Sequence, residues 1–387
     1  MTERPEFLIA GGGTGGHVFP AVAVAEALRE LADVTVSFCG TRRGLEATVV
    51  PPLGFVLEAL DVEPIQGGGI ARAVRGSAIA ARATVAALGT LRRRRPRAVL
   101  NVGGYASGPV GLAAAILGIP IAVLEPNSVP GLTNRLLGPL ARRAYVAWDE
   151  AGASFRPTSL RSCGVPLRHG FVPCPYETHV PRRILVMGGS LGAQALNERI
   201  PRAIGLLGSL PGLQIVHQTG RGRDAEVRSE YARAGVDRAV VVPFIDDVAR
   251  AIADADLVVG RAGAVTIAEI TTVGRASVLV PFPHAADDHQ GKNGEALARA
   301  GAAVCLRQDV ADPQRLAREI GRLLSDDSAR TAMARSAIAR GRPNAAQDVA
   351  RDLLSMVGVP SRPRGRVGPS ASLNGATTRT RGTQEVP

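Results

Sequence analysis

The sequence predicts an α/β protein of two doubly wound domains, on three observations. Apolar, β-rich runs alternate with helical patterns along almost the whole chain, in two series separated by an aperiodic stretch. Continuous apolar strands of this kind belong to parallel sheets covered by helices on both faces. The opening Phe7-Leu-Ile-Ala-Gly-Gly-Gly-Thr-Gly-Gly-His-Val-Phe-Pro20 reads as strand, glycines, helix, and Arg183-Ile-Leu-Val-Met-Gly-Gly-Ser-Leu-Gly-Ala193 echoes it. Finally, 387 residues, 45% apolar and 3% aromatic, suffice for two sizeable cores of mainly aliphatic side chains.

In chain order, the first series of strands falls at 6–10, 34–39, 98–102, 120–124 and 144–147. The second falls at 183–187, 213–217, 239–242, 256–259, 277–280 and 303–306. Helical patterns cover 20–31, 43–50, 70–91, 193–208, 224–234, 264–273, 290–299 and 313–324. Residues 149–182, rich in Pro, Cys, Ser and Arg, hold the hinge near Val165-Pro166. The domains are therefore placed at 1–165 and 166–343, with a last helix at 344–357 folding back on the first. From Gly358 to Pro387 the chain has no apolar period and carries five arginines against Glu385, so disorder is expected. Residues 98–124 lack any charge and are long enough to span a bilayer, but their glycines, prolines and Asn101 read as strand, turn, short helix and strand.

Net charge is +12, and Lys292 is the only lysine among 46 basic residues. Biased composition accounts for much of this; an anionic partner, whether nucleotide, nucleic acid or acidic membrane, accounts for the rest. Residues 65–97 end in Arg92-Arg-Arg-Arg-Pro-Arg97, which is either a solvated helix end or an interfacial patch touching anionic lipid. Cysteines 39, 163, 174 and 305 show no metal spacing, and the start of the chain lacks signal-peptide features, so reduced thiols in a cytoplasmic protein are expected.

Gly11-x-Gly13-x-x-Gly16 matches the dinucleotide fingerprint, but Val34-Thr-Val-Ser-Phe-Cys exits into Gly40-Thr41-Arg42 with no ribose carboxylate in view. That disfavours a nicotinamide or flavin enzyme, and no Gly-Lys-Ser/Thr P-loop is present. Further glycine turns follow strands at 102–109, 188–192 and 261–269, at the edge where open α/β sheets bind ligands. Ser190 and Thr266 can donate to phosphate oxygens there. Glu269, one turn into its helix, either accepts both hydroxyls of a ribose or compensates the helix dipole. His17, at a helix start, either bonds its own loop or acts as a general base. Pro281-Phe-Pro-His-Ala-Ala-Asp-Asp-His-Gln290 fits no regular metal pattern. Asp254-Ala-Asp256 precedes its strand and reads as a helix end.

Together these stretches resemble the MurG family of N-acetylglucosaminyltransferases of bacterial cell-wall synthesis, over residues 6–355. The resemblance rests on Gly12-Gly-Thr-Gly-Gly-His-Val-Phe-Pro20, Gly103-Gly-Tyr-Ala-Ser-Gly-Pro109, Glu125-Pro-Asn-Ser-Val-Pro-Gly-Leu-Thr-Asn134, Gly188-Gly-Ser-Leu-Gly-Ala193, Phe244-Ile-Asp-Asp247 and Arg261 through Glu269. It implies a GT-B fold, two Rossmann-like domains with an interdomain cleft. It implies an inverting, metal-independent transfer of GlcNAc from UDP-GlcNAc to the 4-hydroxyl of MurNAc in lipid I, giving lipid II. The acceptor would lie on the first domain, at the cytoplasmic face of the membrane and beside anionic phospholipid. No cofactor and no nucleic acid are implied. Thr14, Gly15 and Gly16 would meet the sugar–phosphate side and Asn127 the GlcNAc. Arg168 and Ser190 would approach the nucleotide, and Ile245 the uracil. Ala264, Val265, Thr266, Ile267, Ala268 and Glu269 would line diphosphate and ribose, with Gln290 on a GlcNAc hydroxyl. His17 is the first candidate base and Glu125 the second. Leu124, Pro126, Val165, Leu191 and Ala262 depart from the family pattern. The alternatives are a UDP-sugar epimerase on the same architecture and a non-enzymatic nucleotide-sugar sensor.

Overall fold

The structure, a computed structural model, describes residues 4–62, 70–189, 192–208 and 212–363; over 70–78 it describes the helix but not its side chains. The tail expected to be disordered lies, from residue 364, outside the described residues.

Two all-parallel sheets form the frame. The first takes β1 (Glu6–Gly11), β2 (Thr35–Thr41), β3 (Val56–Leu60), β4 (Ala98–Gly103), β5 (Ile121–Glu125), β6 (Arg143–Val146) and β7 (Leu160–Ser162), in the order β3-β2-β1-β4-β5-β6-β7. The second takes β8 (Arg183–Met187), β9 (Gln214–Gln218), β10 (Ala239–Val242), β11 (Leu257–Gly260), β12 (Ala276–Leu279) and β13 (Val304–Cys305), in the order β10-β9-β8-β11-β12-β13. In each sheet the winding reverses beside its first strand, between β1 and β4 and between β8 and β11. The loops leaving those strands part there and open a crevice for a ligand.

The helices are α1 (Gly15–Leu31), α2 (Glu46–Val49), α3 (Ile70–Arg94), α4 (Ser107–Ile116), α5 (Leu132–Leu137), α6 (Gln194–Leu206) and α7 (Asp224–Arg233), then α8 (Val248–Ala253), α9 (Ala264–Val273), α10 (His289–Arg299), α11 (Pro313–Ser325), α12 (Asp327–Arg340) and α13 (Ala345–Met356). Residues 98–124 fold as β4, α4 and β5, and no described helix is long and apolar enough to cross a membrane. Helix α13 returns to the first sheet, where Val349, Ala350, Leu353 and Leu354 share one core with Val22 and Leu28 of α1. Asp352 fixes it there, accepting from Tyr145 Oη and Arg143 Nε, both at 2.8 Å.

Several elements escape the sequence reading. Strands β3 and β7 are sheet edges, with no continuous apolar run to announce them. Helix α1 starts at Gly15, not at Pro20. Pro20 therefore sits in the second turn, where its missing N–H leaves the Gly16 carbonyl without an intrahelical donor. Helix α12 spreads Ala and Arg around its circumference and buries Arg330.

The domains touch through specific contacts. Ser128 N donates to Asn293 Oδ1 at 3.0 Å. The Arg168 guanidinium stacks 4.4 Å above the Phe19 ring, and Arg135 pairs with Asp287 at 3.6 Å.

Candidate active site

On the first domain the cleft wall begins where β1 runs out. Gly12, with φ of 147°, donates its N–H to the Gly103 carbonyl at 3.2 Å and so ties the loop after β1 to the loop after β4. A side chain at Gly103 would collide with His17, since a Cβ there would stand 2.9 Å from Nε2. Thr14 precedes α1 without capping it by its side chain, and its exposed hydroxyl lies 3.4 Å from His17 Nδ1. Burial holds the His17 imidazole below its usual 6.5; Glu125, the Gly12 backbone and Glu46 pull it back up, and His289 adds to the lowering. His17 is therefore neutral at neutral pH and able to take a proton.

A carboxylate does arrive behind this loop, contrary to the reading of an empty exit from β2. Glu46, at the start of α2, turns under the glycines. Its Oε2 accepts from Gly13 N at 2.7 Å, and its Oε1 accepts from Thr41 N and Thr41 Oγ1, both at 2.8 Å. Both its oxygens are taken up by its own loop, so the rejection of a dinucleotide site stands on a different ground.

Glu125 ends β5 and organises the next loop. Oε1 accepts from Asn127 N at 2.9 Å and Asn127 Nδ2 at 3.2 Å. Oε2 accepts from Gly131 N at 3.0 Å and Asn134 Nδ2 at 2.9 Å. Four donors thus occupy its two oxygens, and Asn127 is held as part of this cage.

The second domain presents the start of α9. Gly263 precedes it with no side-chain cap, and the first helical bond runs from Ile267 N to the Gly263 carbonyl at 2.9 Å. The N–H groups of Ala264, Val265 and Thr266 thus come before the ladder, at the positive end of the dipole. One turn on, beyond Ile267 and Ala268, Glu269 is buried and no hydrogen bond from a described residue reaches it. Burial pushes its carboxyl up to about 7 against the opposing charge of Arg168. Arg261 donates to the carbonyls of Val280 and Pro281 and stacks on Phe282; burial and Arg199 bring its guanidinium down to about 10. Gln290 Oε1 accepts from Phe282 N at 3.0 Å. His289 Nδ1 lies 2.7 Å from the Ala286 carbonyl, so Nδ1 carries the proton. Ile245 is half-buried against the second domain's core. Ser190 and Leu191 lie outside the described residues.

The structure thus brings Thr14 to His17, Asn127 to Glu125, and Arg168 to Glu269. Asp256, within the Asp-x-Asp, is consumed by Tyr176 Oη, His179 N and Arg183 N at 2.8, 3.0 and 2.8 Å, as a clamp on the interdomain segment. Leu124, Pro126, Val165 and Ala262 are buried, so those departures from the family pattern fall at packed positions. Sequence reasoning missed Glu46, Asn293, His289 and Phe19. For Glu46 a signal existed in Gly40 and Gly44, which shortly precede it and make room for its side chain. For Asn293, which is fully buried with an unpartnered Nδ2, the partner is 165 residues away.

Comparison with known proteins agrees with the two-domain fold. Residues 7–146 match the glycosyltransferase family 28 N-terminal domain and residues 183–349 its C-terminal domain. The chain is 51% identical, over 91% of its length and 89% of the relative's, to the UDP-N-acetylglucosamine–N-acetylmuramyl-(pentapeptide) pyrophosphoryl-undecaprenol N-acetylglucosamine transferase of Sorangium cellulosum. Among solved structures, Acinetobacter baumannii MurG superposes with a TM-score of 0.75 at 35% identity, covering 91% of this chain and 99% of that one. A UDP-GlcNAc 2-epimerase from Neisseria meningitidis, bound to UDP-GlcNAc, gives a TM-score of 0.65 at 12% identity over 91% and 100% of the two chains, a likeness of fold alone.

Proposed function

The chain belongs to glycosyltransferase family 28 and to its MurG branch, and on that premise we propose that it transfers GlcNAc from UDP-GlcNAc to lipid I, forming lipid II. The observation that carries this reading is the pairing of unlike walls. A buried carboxylate that takes no hydrogen bond from a described residue and a bare helix N-terminus stand on the second domain, and a neutral imidazole stands on the first.

In our account Glu269 accepts the ribose hydroxyls, and the amides of Ala264, Val265 and Thr266 hold the diphosphate. Arg168, and Ser190 in the loop after β8, add to the nucleotide site, and Ile245 packs on the uracil. Asn127 and Gln290 orient the sugar, beside the Thr14–Gly16 turn. The lipid-linked 4-hydroxyl attacks the anomeric carbon in line, inverting it. His17 takes the hydroxyl proton, and Glu125 holds Asn127 in place. As the bond to UDP breaks, charge grows on the diphosphate, where preorganised N–H groups stabilise it.

The same reading puts the first domain on the cytoplasmic face of the membrane. Exposed Leu112 and Ile116 on α4 and Leu132 and Leu136 on α5 offer apolar contact, with Arg135 and Arg142 near in sequence. The basic end of α3 is narrower than its sequence suggests. Arg94 pairs with Glu6 and Glu58, and Arg93 with Glu58, which leaves Arg82, Arg92, Arg95 and Arg97 exposed for anionic phospholipid.

Labelled UDP-GlcNAc with a lipid I analogue tests the proposal. Transfer to the acceptor, undiminished by chelator, is expected. Epimerised donor without acceptor, or binding without turnover, would overturn it.

A further inference from the structure

The most heavily built feature of the first domain outside the reacting groups is the pocket around Glu46. The side chain is 1% exposed, yet it lies behind a surface loop. Three glycines clear space for it. A Cβ on Gly12 would stand 2.3 Å from its Cδ, one on Gly40 2.6 Å from its Cγ, and one on Gly44 2.2 Å from Oε2. Gly40 and Gly44 have no left-handed backbone to explain them, so the carboxylate itself excludes a side chain at both positions.

The donors around it form a directed set. Thr41 gives its N–H and its hydroxyl to Oε1, while that hydroxyl oxygen accepts from Gly44 N at 3.0 Å. The strand end is thereby locked to one oxygen. The other oxygen holds a single group, the N–H of Gly13, at 2.7 Å. Gly13 has φ of 91° and lies next to Thr14, from which α1 and His17 depart. A carboxylate fixed at one end to the sheet and at the other to the reacting loop acts as a strut between them. Such a buried acceptor is stronger for being ionised.

We propose that Glu46 is a positioning residue for the transfer reaction, setting through Gly13 the height and orientation of the Thr14–His17 turn against the incoming acceptor. It touches no substrate. The proposal rests on the reading that His17 accepts the acceptor's proton. Glu46 also contributes negative charge at His17, alongside Glu125 and opposed by His289.

Glu46→Gln separates the functions. Its oxygen is best used on Thr41, where two donors wait, which turns its amide N–H₂ against Gly13 N. The strand end stays held and the reacting loop is pushed away. The expected result is a tenfold or larger fall in kcat with the Kd for UDP within twofold of the parent. The acid limb of the kcat–pH profile also moves to lower pH, because a charge that favoured protonated His17 is gone. A kcat within twofold, or an unmoved acid limb, would overturn the proposal. Thr41→Val, which removes the hydroxyl's bonds with Glu46 Oε1 and Gly44 N and leaves the charge, is the second variant should Glu46→Gln fail to fold. It is expected to lower kcat about threefold with UDP binding intact, and an unchanged kcat would count against the strut. His17→Ala separates the two readings: an acid limb that persists in His17→Ala defeats the base assignment, while the kcat loss in Glu46→Gln is judged against its own parent.

Discussion

The two walls of the cleft use buried carboxylates in opposite ways. Glu46 and Glu125 on the first domain are 1% and 2% exposed, and Glu269 on the second is 6% exposed. Burial does not distinguish them; partners do. Glu46 takes three donors and Glu125 four, from backbone, hydroxyl and side-chain amide groups on their own domain. Glu269 takes none from the described residues, and its carboxyl rises to about 7. Carboxylates on the first wall build loops, while the one on the second takes no hydrogen bond from a described residue. An unpaired buried acceptor costs stability, and a ligand that pairs it recovers that cost.

The strongest way to break this contrast is to remove a loop-building carboxylate. Glu125→Ala orphans four donors and should destabilise the first domain by about 3–5 kcal/mol, read as a lower midpoint in urea, while UDP binding survives. Lost UDP binding without lost stability would place Glu125 in the nucleotide site instead.

Glu269→Gln should do the reverse. A carboxyl that titrates at about 7 when folded and at 4.5 when free favours the fold at low pH and loses that contribution as pH rises through 7. At pH 8 the substitution is therefore expected to stabilise the protein, by up to about 3 kcal/mol, while UDP affinity falls at least tenfold. His217 sharpens the test. It is buried between Tyr231 Oη and Asn197 Oδ1, and burial takes it down to about 3, so it loses stability as pH falls below 6.5. Between 4.5 and 6.5 the two groups oppose each other. Glu269→Gln should unmask the histidine, with the slope of stability against pH more positive than the parent's by about 1.4 kcal/mol per pH unit across that window. A slope equal to that of the parent protein would contradict the Glu269 assignment.

The smallest expected effect is at Arg168. Its charge holds the Glu269 carboxyl down, so Arg168→Ala should raise that pKa further and weaken UDP a few-fold. Carboxyl-carbon NMR of Glu269 reads the shift; no upward movement would remove Arg168 from the pair.

The same contrast explains what the sequence made legible. Two parallel sheets follow from apolar runs such as Leu8–Ala10 and Leu257–Val259, whose burial on both faces leaves a local pattern. Edge strands β3 and β7 leave none. Glu269 is legible as a candidate because its position, one turn into a glycine-led helix, is local. Glu46 was missed because the test applied to it asked for a carboxylate directly after β2, whereas the loop between Gly40 and Gly44 brings one in from α2. Asn293 and His289 were missed because both face the first domain, and contact across a cleft has no sequence period.

The central claim is that the nucleotide belongs to the second wall and proton transfer to the first. Calorimetric titration of UDP into Glu269→Gln and His17→Ala, alongside kcat for both, tests it most directly. The account predicts a Kd raised at least tenfold in Glu269→Gln. In His17→Ala it predicts Kd within twofold of the parent and kcat lowered by roughly a hundredfold or more. UDP bound normally by Glu269→Gln, or near-full turnover by His17→Ala, would contradict it.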